Sequence, residues 1–124
     1  MKSIIVDHIV IGVANIKETE KFYSSFLGEP ASKEVDMVVY DVGSTKFFFI
    51  LPEKKFNKKD RDTGGLNHIA FQASNLEELK EFESKLNNTG IQNSGIQIDK
   101  YGGKEFVWFD DPNGHRLEFY LRHA

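Results

Sequence analysis

One stretch of this chain occurs twice. At an offset of sixty residues and with no gap, Asp7-His8-Ile9 falls on Asn67-His68-Ile69, Asn15-Ile16 on Asn75-Leu76, Glu18 on Glu78, Phe22 on Phe82 and Ser24 on Ser84. A repeat this long in a chain of 124 residues means two copies of one supersecondary unit, which limits the folds available more than any other feature. Each copy carries one histidine near the start of a strand, so the pair brings two imidazoles into consideration together.

The local patterns say what the unit is. Residues 4–13 are almost continuously apolar and β-branched, which predicts a strand buried on both faces, with His8, Val10 and Gly12 on one side and Ile9, Ile11 and Val13 on the other. Asn15 is an N-cap with Glu18 three residues on, opening a helix whose apolar stripe is Ile16, Phe22, Tyr23, Phe26 and Leu27. Gly28-Glu29-Pro30 ends it. Strands follow near 31–33, at 37–42 and, after the Gly43-Ser44 turn, at 46–51. The second copy reads as a strand at 66–73, a helix at 75–88, and strands near 91–98, 105–109 and 116–121, the last two joined by Asp110-Asp111-Pro112-Asn113-Gly114. Both copies are therefore βαβββ. Together they give an α+β domain spanning 1–124: module one at 1–52, a polar and locally basic linker at 53–65, and module two at 66–124.

The formal charge of −3 argues against nucleic-acid and anionic-membrane partners, which select a basic excess. The absence of cysteine removes disulfides, thiolate metal sites and a Cys nucleophile. The apolar segment before Asp7 is too short for a secretory signal, and the chain reads as cytoplasmic. Eleven phenylalanines predict an aromatic-rich interior.

Chemistry enters through three residues. On the last strand Arg116, Glu118 and Tyr120 share one face, and Leu117, Phe119 and Leu121 the other. A carboxylate on such a strand is costly unless paired or bound to a cation. A lone strand histidine is ordinarily a core residue satisfied by a carbonyl, and this is the plain reading of His8 and of His68 taken singly. Two histidines at equivalent repeat positions plus one isolated glutamate instead form the two-imidazole, one-carboxylate set that binds divalent transition metals and leaves positions open for substrate.

The segments Asp7-His8-Ile9-Val10-Ile11-Gly12-Val13, Lys21-Phe22-Tyr23 through Phe26-Leu27-Gly28, Leu66-Asn67-His68-Ile69-Ala70-Phe71 and Phe109-Asp110-Asp111-Pro112-Asn113-Gly114-His115-Arg116-Leu117-Glu118-Phe119 resemble the vicinal oxygen chelate superfamily. That superfamily includes glyoxalase I, extradiol dioxygenases, fosfomycin-resistance transferases and bleomycin-binding proteins. The resemblance implies two βαβββ modules forming a half-closed mixed β-barrel with helices outside. It also implies a divalent metal (Fe, Mn, Zn, Ni or Co) held by His8, His68 and Glu118. Metal affinity would then fall as pH drops through the histidine range near ~6.5.

One departure bears on the reaction. The strand at 46–51 has no acid where glyoxalase-like members supply one, and Glu53 lies beyond Pro52, so three protein ligands are expected here rather than four. The primary expectation is a metal-dependent enzyme of dioxygenase-like or transferase/lyase-like chemistry acting on a small oxygenated substrate. Glu118, Arg116 and Tyr120 would be its catalytic groups, with Arg116 a candidate for binding an anionic substrate group. Tyr40, Phe48 and Trp108 are further pocket candidates. The alternative is a metal-free small-molecule binding protein of the bleomycin-resistance type. Half-barrel modules with open edges predict a homodimer.

Overall fold

The computed structural model describes residues 3–54 and 64–121. Most of the expected linker, together with Arg122, His123 and Ala124, lies outside the described residues. The chain divides into two compact units at residues 57 and 58, inside that linker. Among the described residues no helix is long and apolar enough to cross a membrane.

Unit 1 runs β1 (His8–Gly12), α1 (Ile16–Leu27), β2 (Ser32–Glu34), β3 (Met37–Val42) and β4 (Thr45–Ile50). Unit 2 runs β5 (His68–Ala73), α2 (Leu76–Asn88), β6 (Gln97–Ile98), β7 (Glu105–Asp110) and β8 (Arg116–Leu121). Each unit is a βαβββ module with a mixed four-stranded sheet, ordered β1-β4-β3-β2 in one and β5-β8-β7-β6 in the other. In both, the first strand pairs parallel with the last, because the intervening helix returns the chain in the same direction, and the remaining pairs are antiparallel.

The helices begin where the sequence says. Asn15 Oδ1 accepts from the Glu18 amide at 2.8 Å and Asn75 Oδ1 from the Glu78 amide at 2.8 Å, so one orphan donor of each first turn is satisfied identically. In unit 2 the cap is reciprocal, Glu78 Oε1 accepting from the Ser74 amide at 3.3 Å. Gly28 and Gly90, at φ 85° and 73°, carry the chain away from the helix ends in a conformation a side chain would strain.

Each helix covers one face of its own sheet. Under α1, Tyr23 packs on Phe49 with ring centroids 4.2 Å apart, and Val38, Tyr40 and Phe47 complete a core closed to solvent. Under α2, Phe82 lies 4.4 Å from Phe119 and 5.2 Å from Phe109, beside buried Leu79, Leu86, Leu117 and Leu121. The aromatic interior expected from the phenylalanine count is thus one cluster per unit, and burial of each such ring contributes about 1.5–3 kcal/mol. Tyr40 belongs to this core rather than to a pocket. Its hydroxyl donates to the Glu20 carbonyl at 3.1 Å and meets Ser24 Oγ at 2.7 Å, and burial raises its pKa above the ordinary tyrosine value.

Two strands depart from the pattern reading. β1 begins at His8, not residue 4, and is not buried on both faces: Ile4 is 80% exposed and Val10 54%. β1 is an edge strand whose helix-covered side takes only Ile9 and Ile11, so its other apolar residues face outward. The strand expected near 91–98 shrinks to Gln97–Ile98 because polar side chains capture the ladder's backbone groups. Ser94 Oγ accepts from the Trp108 amide at 3.0 Å, Asn93 Oδ1 from the Gly95 amide at 2.9 Å and Glu83 Oε2 from the Ile96 amide at 2.7 Å.

Candidate functional site

The face of each sheet turned away from its helix carries the candidate chemistry. Parallel register sets His68 beside Arg116 and Ala70 beside Glu118, so the imidazole and the carboxylate, on neighbouring strands and one pleat repeat apart, point out of the same side. His68 Nε2 lies 3.4 Å from Glu118 Oε2. Glu118 is kept mostly from solvent, its side chain 17% exposed, while His68 is more open.

Nδ1 of His68 is 2.8 Å from Asn67 Oδ1, a side-chain acceptor that holds the ring when Nδ1 carries the proton and leaves Nε2 facing Glu118. In that tautomer a cation between Nε2 and the carboxylate, either a second proton on the ring or a divalent metal ion, is favourable. His8 repeats the arrangement in unit 1, with Nδ1 2.7 Å from Asp7 Oδ2. Its Nε2 is therefore also the nitrogen left to bind. The residues fit a divalent ion chemically: two imidazoles whose Nδ1 atoms each meet a side-chain oxygen, and a carboxylate beside one of them.

Among the described residues no group of three or more His, Cys, Asp or Glu gathers closely enough to hold a metal. Of the three expected ligands the structure brings together His68 and Glu118. His8 stands in unit 1, edge-on to Phe48 with ring centroids 5.6 Å apart.

Arg116 is engaged elsewhere. Its Nε donates to Asp110 Oδ1 at 2.6 Å, its guanidinium lies 3.7 Å over the Trp108 ring, and it does not line the pocket beside Glu118. Trp108, read as a pocket candidate, is the platform for that guanidinium. Tyr120 does sit with Glu118, at an open pocket of about 420 Å3 that His68, Ala70, Phe106 and Tyr101 also line. Its hydroxyl donates to Asp99 Oδ2 at 2.8 Å.

Sequence reasoning missed several of these residues. Asp7 and Asn67 marked the repeat, yet their role follows from standing immediately before each histidine as side-chain acceptors. Asp99, Tyr101, Gly102 and Phe106 were not singled out. A Cβ at Gly102 would crowd Tyr120 Oη and Asp99 Oδ2, so glycine lets the loop approach β8 closely.

Paired βαβββ modules with a histidine on the first strand of each define a glyoxalase-like fold. Over residues 5–119 the chain matches the Glyoxalase/Bleomycin resistance protein/Dioxygenase superfamily, and it belongs to that superfamily. It is similar to a glyoxalase family protein from Enterococcus faecalis, with TM-score 0.76 and 27% identity over 96% of this chain and 97% of that one. A Bacillus halodurans structure superposes with TM-score 0.84 at 25% identity, covering 94% and 95%. Among curated proteins it is 26% identical to the trivalent organoarsenical cleaving enzyme of Bacillus sp. strain MD1, across 91% of this chain and 70% of that protein. These distant relatives carry mixed functions, as the metallothiol transferase FosB of Bacillus licheniformis, 23% identical over 93% of this chain and 73% of FosB, illustrates.

Proposed function

We propose that this protein is a divalent-metal-dependent enzyme that binds a small oxygenated substrate, with His8, His68 and Glu118 as its protein ligands. The observation that carries the reading is His68 Nε2 within 3.4 Å of Glu118 Oε2 on one open sheet face, an imidazole and a carboxylate placed as two ligands of one ion would be. When bound, a divalent ion supplies Lewis acidity to substrate oxygens. The chain's own residues do the rest: Asn67 and Asp7 hold the two imidazoles by their Nδ1–H groups, and Tyr120 and Phe106 wall the pocket beside Glu118. Tyr120 Oη, oriented by Asp99, is the hydroxyl available to exchange a proton with a bound substrate.

The organoarsenical relative's substrate is not carried over. Trivalent arsenic is a soft centre that thiolates hold, and this chain has no cysteine.

Titration of metal-depleted protein with Co(II), followed by absorption, tests the proposal. One equivalent should bind, and His8→Ala, His68→Ala and Glu118→Gln should each abolish stoichiometric binding, while Glu53→Gln leaves it intact. Absence of binding, or binding unaffected by those three substitutions, would overturn it.

A further inference from the structure

Two differences of charge lie close to the paired histidines. Position 7 is aspartate where position 67 is asparagine, and position 48 is phenylalanine where position 118 is glutamate. The ion pairs beside the histidines, Lys46 with Asp41 and Arg116 with Asp110, match in the two copies and cancel from the comparison. The two differences are complementary. Each copy has one carboxylate against its imidazole: Asp7 Oδ2 at 2.7 Å from His8 Nδ1 in unit 1, and Glu118 Oε2 at 3.4 Å from His68 Nε2 in unit 2.

The carboxylates stand at opposite ends of the two rings. Glu118 is at Nε2, placed to bind an ion itself, whereas Asp7 is at Nδ1, behind the ring. An ionised carboxylate only accepts, so the Asp7 contact requires Nδ1–H whichever oxygen makes it, and Nε2 of His8 is the nitrogen left for a cation. The neutral Asn67 side chain makes a contact of similar length with His68, 2.8 Å, so holding a ring does not itself require charge. The charge of Asp7 has a separate effect. A carboxylate on the far N–H of an imidazole makes the other nitrogen a better donor to a cation, and its negative charge attracts that cation directly. The Asp7 side chain is 91% exposed, so water and salt screen this attraction.

We infer that Asp7 is a positioning residue of the metal site that supplies, through His8, the second negative charge against a divalent ion, Glu118 supplying the first. In unit 1 the charge comes from behind the imidazole because position 48 offers no acid beside it. In unit 2 Glu118 is already present, and a neutral asparagine suffices. The inference rests on reading His8, His68 and Glu118 as ligands, and deepens that reading with a residue outside the ligand set.

Exchanging the two side chains tests the charge without removing either contact. Co(II) affinity of the full chain is measured by competition with a chromophoric chelator, in the parent, Asp7→Asn, Asn67→Asp and the double variant. Both positions are exposed and both exchanges keep the side chain's size, so the fold is left intact. At low salt Asp7→Asn should weaken binding about 3- to 10-fold and Asn67→Asp should tighten it. The double variant moves the charge from one imidazole to the other and should return to within about twofold of the parent. The Asp7→Asn deficit should shrink in ~1 M salt, where charges are screened beyond ~3 Å, a response that a purely structural role would not show. Equal affinity of Asp7→Asn and the parent, a deficit that salt leaves unchanged, or a double variant no tighter than Asp7→Asn would overturn the inference while leaving the metal reading in place. Absence of Co(II) binding by the parent would overturn both.

Discussion

Positions 48 and 118 occupy the same place in two copies of one sheet. Phe48 pairs with Val10 and Val39 in unit 1, and Glu118 with Ala70 and Trp108 in unit 2. Around them the copies agree. His8 pairs with Lys46 as His68 pairs with Arg116, and each basic residue bonds the acid opposite it, Lys46 Nζ to Asp41 and Arg116 Nε to Asp110, both at 2.6 Å. The helices are capped by the same asparagine contact. What differs is the open face one pleat repeat further on, where unit 1 has Val10 and Phe48 and unit 2 has Ala70 and Glu118, with Tyr120 and Phe106 beside the carboxylate. The lesson is that the helix-covered faces pack alike in the two copies, whereas the open faces differ, Phe48 in one standing where Glu118 stands in the other.

The largest effect should come from the shared core. Phe49→Ala removes a fully buried ring stacked on Tyr23 and should cost about 3–5 kcal/mol, read by urea denaturation. Phe119→Ala, at a half-buried ring in unit 2, should cost less, and the reverse order would mean that the two cores are not equivalent. Next, Glu118→Phe copies unit 1 into unit 2. It should lower metal affinity by more than the ~10–100-fold typical of losing a residue that merely orients a ligand. Asn67→Ala should fall within that ~10–100-fold range, because it frees the His68 ring without removing a donor atom. Calorimetric titration with Zn(II) would rank the two.

The smallest effect concerns Tyr40, buried in unit 1 with its pKa raised chiefly by burial. A raised folded-state pKa contributes stability that is complete below the unfolded value near ~10 and is lost as pH climbs through the folded value. Tyr40→Phe should therefore cost about 1 kcal/mol at neutral pH, through its lost hydrogen bonds. That deficit should shrink or invert above pH ~10, where only the parent chain has a buried phenol at position 40 to ionise. A constant deficit between pH 8 and 11 would contradict the assignment.

Much of this was legible in the sequence. β3 and β8 have the bounds that period-two alternation gives, and the repeat alone singled out His8 and His68. Glu118 was legible because a charge stands out on an apolar strand. β1 was overextended because Ile4, Ile5 and Val6 look like strand, yet the ladder begins at His8 and the Val6 carbonyl accepts from the Thr45 hydroxyl instead of a strand amide. β6 was overextended because capture of backbone groups by Ser94 and Asn93 leaves no mark on hydrophobic periodicity. The pocket wall was not legible, since Asp99 and Tyr120 meet across 21 residues and local pattern does not report such contacts.

The central claim is that a duplicated scaffold supplies one imidazole from each copy and a carboxylate from the second copy alone. Anomalous diffraction from crystals grown with Co(II) tests it directly. The account predicts a single ion bound by His8 Nε2, His68 Nε2 and a Glu118 oxygen at ~2.1 Å, with its remaining positions filled by water. Imidazoles more than about 6 Å apart with their nitrogens bonded only to protein, or an ion held by other residues, would contradict it, since bonds of that length cannot span such a gap.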